Sequence, residues 1–264
     1  MRFYRKILTL AFSILLNLEL VEATPSTTYW TVCTTDIQAY DVWHIGVDNY
    51  FTVFNRRGHG SSFPPDVGLT YGLFNWHDLA TEVGIDYLGG TDDPIFFNAK
   101  IGMAEDKLFS KAPAWNVGIY NIGTRTRSQG RTNQNIVDIM LSKNLPDWIG
   151  GNLCIGAFSG SRAMGKNRQG WMIGFVRGFC KVKDCEGKEY HKWVLAADYA
   201  SGKNTIGGGG AGMYYYFTPD ISLLTGPVFF NDAKLNGQWK WTVQLDINVS
   251  FDKLSTLLQE KAHM

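Results

Sequence analysis

Between positions 239 and 251 the chain alternates without exception. Every odd position is apolar (Trp239, Trp241, Val243, Leu245, Ile247, Val249, Phe251), and every even position between them is polar (Lys240, Thr242, Gln244, Asp246, Asn248, Ser250). A period of two belongs to extended backbone, whose successive side chains point to opposite faces. The run is therefore a strand with one greasy and one wet side.

The pattern recurs upstream. Trp43, Ile45, Val47, Phe51 and Val53 alternate with His44, Gly46, Asp48, Tyr50 and Thr52. Val67, Leu69, Tyr71 and Leu73 alternate with Gly68, Thr70 and Gly72; Val83, Ile85 and Tyr87 oppose Glu82, Gly84 and Asp86; Ile95, Phe97, Ala99 and Ile101 oppose Asn98, Lys100 and Gly102. Further candidates cover 114–123, 134–143, 151–160, 170–180, 192–201, 206–217 and 220–230. The total is about 12 strands of roughly 9–13 residues, the length that crosses a bilayer at a tilt. An even number returns both ends of the barrel to one side. The odd-to-even connections 55–65, 124–132 and 160–170 are long and polar, whereas 75–78 and 218–220 are short. Two stretches on the short side, 103–113 and 181–192, are expected to be longer.

Both faces need an environment. The polar faces carry Asp48, Glu82, Asp86, Lys100, Asp138, Asp198, Lys240, Gln244 and Asp246, with His44 beside them. A dry core would hold those charges only at a large desolvation cost. The apolar faces, in a chain that is 14% aromatic, would aggregate in water. Lipid outside and water inside satisfy both, and closure removes the sheet edges. The fold class read here is all-β, an antiparallel transmembrane β-barrel. Trp76, Trp115, Trp148, Trp171, Trp193, Trp239, Tyr215 and Phe217 near strand ends suit interfacial girdles.

Residues 1–23 read as a cleaved signal peptide, with basic Arg2, Arg5 and Lys6, an apolar run over 7–16 and small residues at Val21 and Ala23. Residues 24–42 are a periplasmic lead, a plug entering the lumen, or an extension of the first strand. The barrel is assigned to 43–251. The tail 252–264 reads as a short amphipathic helix or a disordered end. Export permits disulfides among the four cysteines. Cys180 and Cys185 are spaced to close a small loop, and Cys33–Cys154 is the other pairing; connectivity stays open.

The segment ending at Phe251 resembles the C-terminal insertion signal of bacterial outer-membrane barrels, with Trp241, Leu245, Ile247 and Val249 in its alternating positions, although 13 residues follow Phe251. The stretches TPSTTYWTVCTTDIQ, VGIDYLGGTDDPIFFNAKIG and KWVLAADYASGKNTIGGGGAGMYYYFTPDISLLTGPVFFND are similar to a family of uncharacterised bacterial porin-like barrel proteins. That resemblance spans nearly the whole mature chain. It implies fold, location in the bacterial outer membrane and handling by the barrel-insertion machinery, and brings no catalytic residues.

Function is read from the two water-facing surfaces. The long connections gather Arg56, Arg57, Arg125, Arg127, Arg131, Arg162, Lys166, Arg168 and Lys203. They suit lipopolysaccharide phosphates, anionic solutes at a pore mouth, or plain solvation. The lumen leans acidic, with Asp48, Glu82, Asp86, Asp138, Asp198 and Asp246 against Lys100 and Lys240, which favours cations unless lysines seal it. Gly208, Gly210 and Gly212 leave space for solute or an inserted segment. The leading expectation is a passive, weakly cation-selective channel for small solutes. The alternatives are a barrel hydrolase using His44 with Asp48, and a closed structural or adhesive barrel. No nucleophile motif, phosphate loop, zinc spacing or calcium loop appears, so no cofactor or metal is expected. A net charge of +1 makes no case for nucleic acid.

Overall fold

The structure, a computed structural model, describes residues 27–53, 63, 65–90, 92–127 and 130–250. The signal segment, the tail, Arg56, Arg57 and Phe251 lie outside them. Twelve strands follow one another: β1 (Val42–Phe51), β2 (Asp66–Trp76), β3 (Leu79–Leu88), β4 (Ile95–Met103), β5 (Ala114–Gly123), β6 (Ile136–Asn144), β7 (Asn152–Ser159), β8 (Gln169–Lys183), β9 (Glu189–Ala200), β10 (Gly208–Thr218), β11 (Ile221–Phe230) and β12 (Lys240–Ser250). Each pairs antiparallel with its sequence neighbour, and β1 pairs with β12, so the sheet closes on itself. At the seam Val42 lies opposite Ser250 and Phe51 opposite Trp241.

Over most of the ring even-numbered side chains face inward and odd-numbered ones outward. Register shifts break the rule locally: past the one on β2, Phe74 and Trp76 are exposed and Thr81 is buried, and on β5 Ile122 lies opposite outward Phe97. The odd set is apolar and uncovered: Ile139 and Ile155 are each 52% exposed. Its aromatics gather at both rims. Trp193 meets Tyr215 with ring centres 4.6 Å apart at one rim, and Trp171 meets Tyr199 at 5.4 Å at the other.

Connections differ between the two ends. At the end that holds Val42 and Ser250 the chain turns through 77–78, 104–113, 145–151, 184–188 and 219–220. The stretch 103–113 is the longer connection expected there. The stretch 181–192 is not: β8 and β9 continue pairing in the same register to Lys183 and Glu189, past Cys180, whose φ is 55°. Cys180 on β8 and Cys185 in the β8–β9 connection are both exposed. Cross-strand pairing carries this hairpin, with the exposed Lys181–Glu189 and Lys183–Glu189 ion pairs, both at 3.2 Å, along it.

The inside departs from a uniformly wet lumen. On β5 to β11 many inward positions are apolar, including Tyr120, Ile136, Met140, Phe158, Met172, Val194, Leu224 and Val228. They form two buried clusters, one around Tyr29 and the other around Cys33. Both of those residues precede β1. Residues 27–41 thus lie inside the barrel.

Candidate functional site

Residues 27–41 circle the inner wall from one mouth to the other. Trp30 stands at the long-connection end, its ring edge-on to Tyr50, Phe63 and Phe230 at 5.3, 5.8 and 5.1 Å. Its indole Nε1 donates to the Ile206 carbonyl. Tyr29 lies flat on β10 and β11, over Gly210, Gly212 and Gly226, and its hydroxyl donates to the Pro227 carbonyl at 3.0 Å. A Cβ at Gly210 would come within 2.5 Å of the Tyr29 ring, so the absence of a side chain makes the berth. Of the two uses expected for these glycines, the inserted segment is the one seen.

From there the chain visits the strands in reverse. Cys33 lies over Gly174 of β8 beside Cys154 of β7. Asn116 of β5 donates to the Thr34 carbonyl at 2.7 Å, and Thr35 meets Ser142 of β6. Lys100 of β4 donates to the Asp36 carbonyl, and the Gln38 N–H donates to Glu82 of β3 at 2.6 Å. Tyr40 then forms a parallel bridge with Gly72 of β2 before the chain turns into β1. Backbone without a sheet partner needs acceptors and donors from somewhere, and the polar wall supplies them.

This sorts the expected lumen residues into two groups. Asp198 holds the segment: one carboxylate oxygen accepts from the N–H groups of Tyr29, Trp30 and Thr31. Gln244 donates to the Tyr29 carbonyl, Glu82 pairs with Lys100 at 3.4 Å, and buried Lys240 donates to Thr52. Asp198, Gln244, Glu82 and Lys100 thus hold the segment, Lys240 joins β12 to Thr52 just past β1, and Glu82 and Lys100 also border the cavity. Asp48, Asp86, Asp138 and Asp246 line a cavity of about 340 Å³ left between the segment and the wall of β12 and β1 to β6. Cross-strand neighbours bring them together. Asp48 lies opposite Asp66, Gly68 opposite Asp86, and Gly46 opposite Asp246. The cavity lining runs from Phe63, Thr205 and Asn236 at one end to His44, Glu82 and Lys100 deeper inside.

Asp66 is the lining acid that sequence reasoning missed. It occupies the even position just before the alternation Val67, Gly68, Leu69, so continuing the pattern one step would have found it. His44 does not face Asp48. Its ring bonds Asn248 at 2.9 Å through Nδ1 and approaches Asp246 at 3.4 Å through Nε2, both across the seam on β12.

The basic residues collect at one end. Arg125 and Arg131 lie in the β5–β6 connection, with exposed Arg127; exposed Arg162, Lys166 and Arg168 lie in the β7–β8 connection. Arg125 pairs with Asp93 at 3.2 Å. The opposite end balances its charges locally, with Lys107 on Asp78 and Lys143 on Glu105 and Asp106. Trp241, Leu245, Ile247 and Val249 point outward from β12, half-buried against the neighbouring strands.

No family model matches the chain, and no curated protein sequence matches it. Solved structures with a similar barrel include a KdgM porin, 7% identical over 79% of this chain and 99% of that one, with a TM-score of 0.45. An outer membrane channel from Pseudomonas putida F1 is 11% identical over 86% of this chain and 100% of that one, at 0.39. The attachment invasion locus protein Ail of Yersinia pestis is 9% identical over 79% and 95%, at 0.16.

Proposed function

We propose that this protein is an outer-membrane barrel acting as a porin-like channel for small solutes, with a preference for cations and a bore narrowed by its own N-terminal segment. The observation that carries the proposal is the acid-lined cavity. Asp48, Asp66, Asp86 and Asp246 border space that the segment leaves unfilled, and carboxylates around a narrow polar path favour cations.

The setting follows from the outer face. Apolar side chains left open on every side, with aromatics at both rims, suit hydrocarbon between two headgroup layers. The long, basic connections then face outside the cell, where guanidinium groups meet lipopolysaccharide phosphates. Val42 and Ser250 face the periplasm, the side from which export after signal cleavage and the insertion machinery deliver the chain.

Refolded protein in a planar bilayer tests the channel. Discrete single-channel steps are expected. Silence over many insertions would remove the channel and favour a closed structural barrel. A hydrolase would need a nucleophile at His44, where the ring is engaged by Asp246 and Asn248.

A further inference from the structure

We propose that Cys33 and Cys154 become joined as a disulfide that fastens the lumen segment to the barrel wall. This needs only the fold, not conduction. Cys33 is wholly buried and Cys154 nearly so, and the two, unbridged in this structure, share one buried cluster. Gly174 makes the approach possible. It lies directly opposite Cys154 in the β7–β8 pairing, and a Cβ built on it would be 3.3 Å from the Cβ of Cys33. Cys33 thus packs on the bare face of Gly174, its carbonyl oxygen 2.6 Å from that Cβ position. Directly opposed Cβ atoms in a sheet are about 4.5–5.5 Å apart, and a disulfide asks for about 3.5–4.5 Å. A small shift of the segment's backbone, which carries the Cβ of Cys33, closes the remaining gap.

The neighbours hold Cys33 in place. Asp198 fixes residues 29–31 on one side, and Asn116 fixes Thr34 on the other. Cys180 lies six positions further along β8 than Gly174, about 20 Å at strand rise, so it cannot compete in the folded barrel. The chemistry is an exchange with a disulfide oxidant of the export compartment. One thiol, as thiolate, attacks an oxidant sulfur and releases the oxidant's other sulfur as a thiol. The second cysteine then displaces the mixed disulfide and frees the second oxidant thiol. Two protons and two electrons leave the cysteine pair, and the oxidant is reduced to a dithiol. Because the sulfurs are buried, the exchange belongs to folding, before the segment is enclosed, and the finished bond is shielded from later thiols.

Peptide mapping of exported wild-type protein, denatured in N-ethylmaleimide and digested by trypsin without reductant, decides the matter. The expected result is a linked pair: the peptide 144–162, which carries Cys154, joined to the peptide ending at Arg56, which carries Cys33. Dithiothreitol should separate them. In Cys154→Ser protein the Cys33 peptide should be alkylated instead. Complete alkylation of both Cys33 and Cys154 in the exported wild type would overturn the proposal, as would either one bridged to Cys180 or Cys185. No bilayer recording enters this test, so a silent channel would leave it standing.

Discussion

Asp198 grips Thr31 twice through a single carboxylate oxygen, which accepts the backbone N–H at 2.7 Å and the side-chain hydroxyl at 3.0 Å. The same oxygen takes the N–H groups of Tyr29 and Trp30 at 3.0 and 2.9 Å. Three consecutive amides converging on one anion make a nest, and the anion is what turns the chain at the mouth of the barrel. A charge that looks like pore lining in the sequence is in the structure a fastener.

Its removal should loosen the segment without opening the sheet. Each hydrogen bond to a charged group is worth about 1.5–3 kcal/mol, and orphaned amides add a penalty. Asp198→Ala should therefore cost about 3 kcal/mol or more. Heat-dependent gel mobility in detergent reads the loss, and limited proteolysis should cut within 27–40 earlier than in wild type. An unchanged cleavage pattern would show that the segment is held elsewhere.

Glycine berths should be sensitive to single methyl groups. At Gly174 a Cβ meets the Cys33 carbonyl at 2.6 Å, whereas at Gly46 its nearest neighbours stand at 3.6 and 3.7 Å. Gly174→Ala should cost about 1–3 kcal/mol by overpacking, and Gly46→Ala should be near neutral. Thermal midpoints of the two variants make the comparison, and equal midpoints would contradict the berth.

The outward face separates lipid from water as its surroundings. Ile139 is 52% exposed near the middle of β6. In a bilayer Ile139→Lys should destabilise the barrel by about 2–4 kcal/mol. In water the same change would be neutral or would raise solubility. Folding titrations in phospholipid vesicles distinguish these outcomes.

Taking out residues 27–39 should widen the bore, because the strand-to-strand pairing that closes the barrel runs from Val42 to Ser250. Bilayer recordings should then show single-channel conductance several-fold above wild type. Steps of unchanged size would mean that the segment does not set the conducting path.

Ion preference should follow the cavity acids and not the clasping ones. Asp48→Asn with Asp86→Asn should move the reversal potential in a salt gradient toward the non-selective value. A reversal potential identical to wild type would detach selectivity from this cavity.

The strands, their approximate number, the antiparallel class and the two faces of the cleanly alternating strands could be read from the chain, because alternation is local: each such strand carries the record of its own two faces. The run ending in Trp241, Leu245, Ile247 and Val249 needs no partner to declare which side is greasy. The inner apolar sector was hidden for the same reason. Around Ile136, Val137, Ile139, Met140 and Leu141 both faces are apolar, and period two then says nothing of what lies within. Only the closed ring decided that Tyr29 would meet Asp198, 169 positions away, that Cys33 would lie beside Cys154, and that His44 would turn to Asp246 in place of Asp48. Such contacts depend on the order in which strands close around a space and on what fills it, and no local period encodes either.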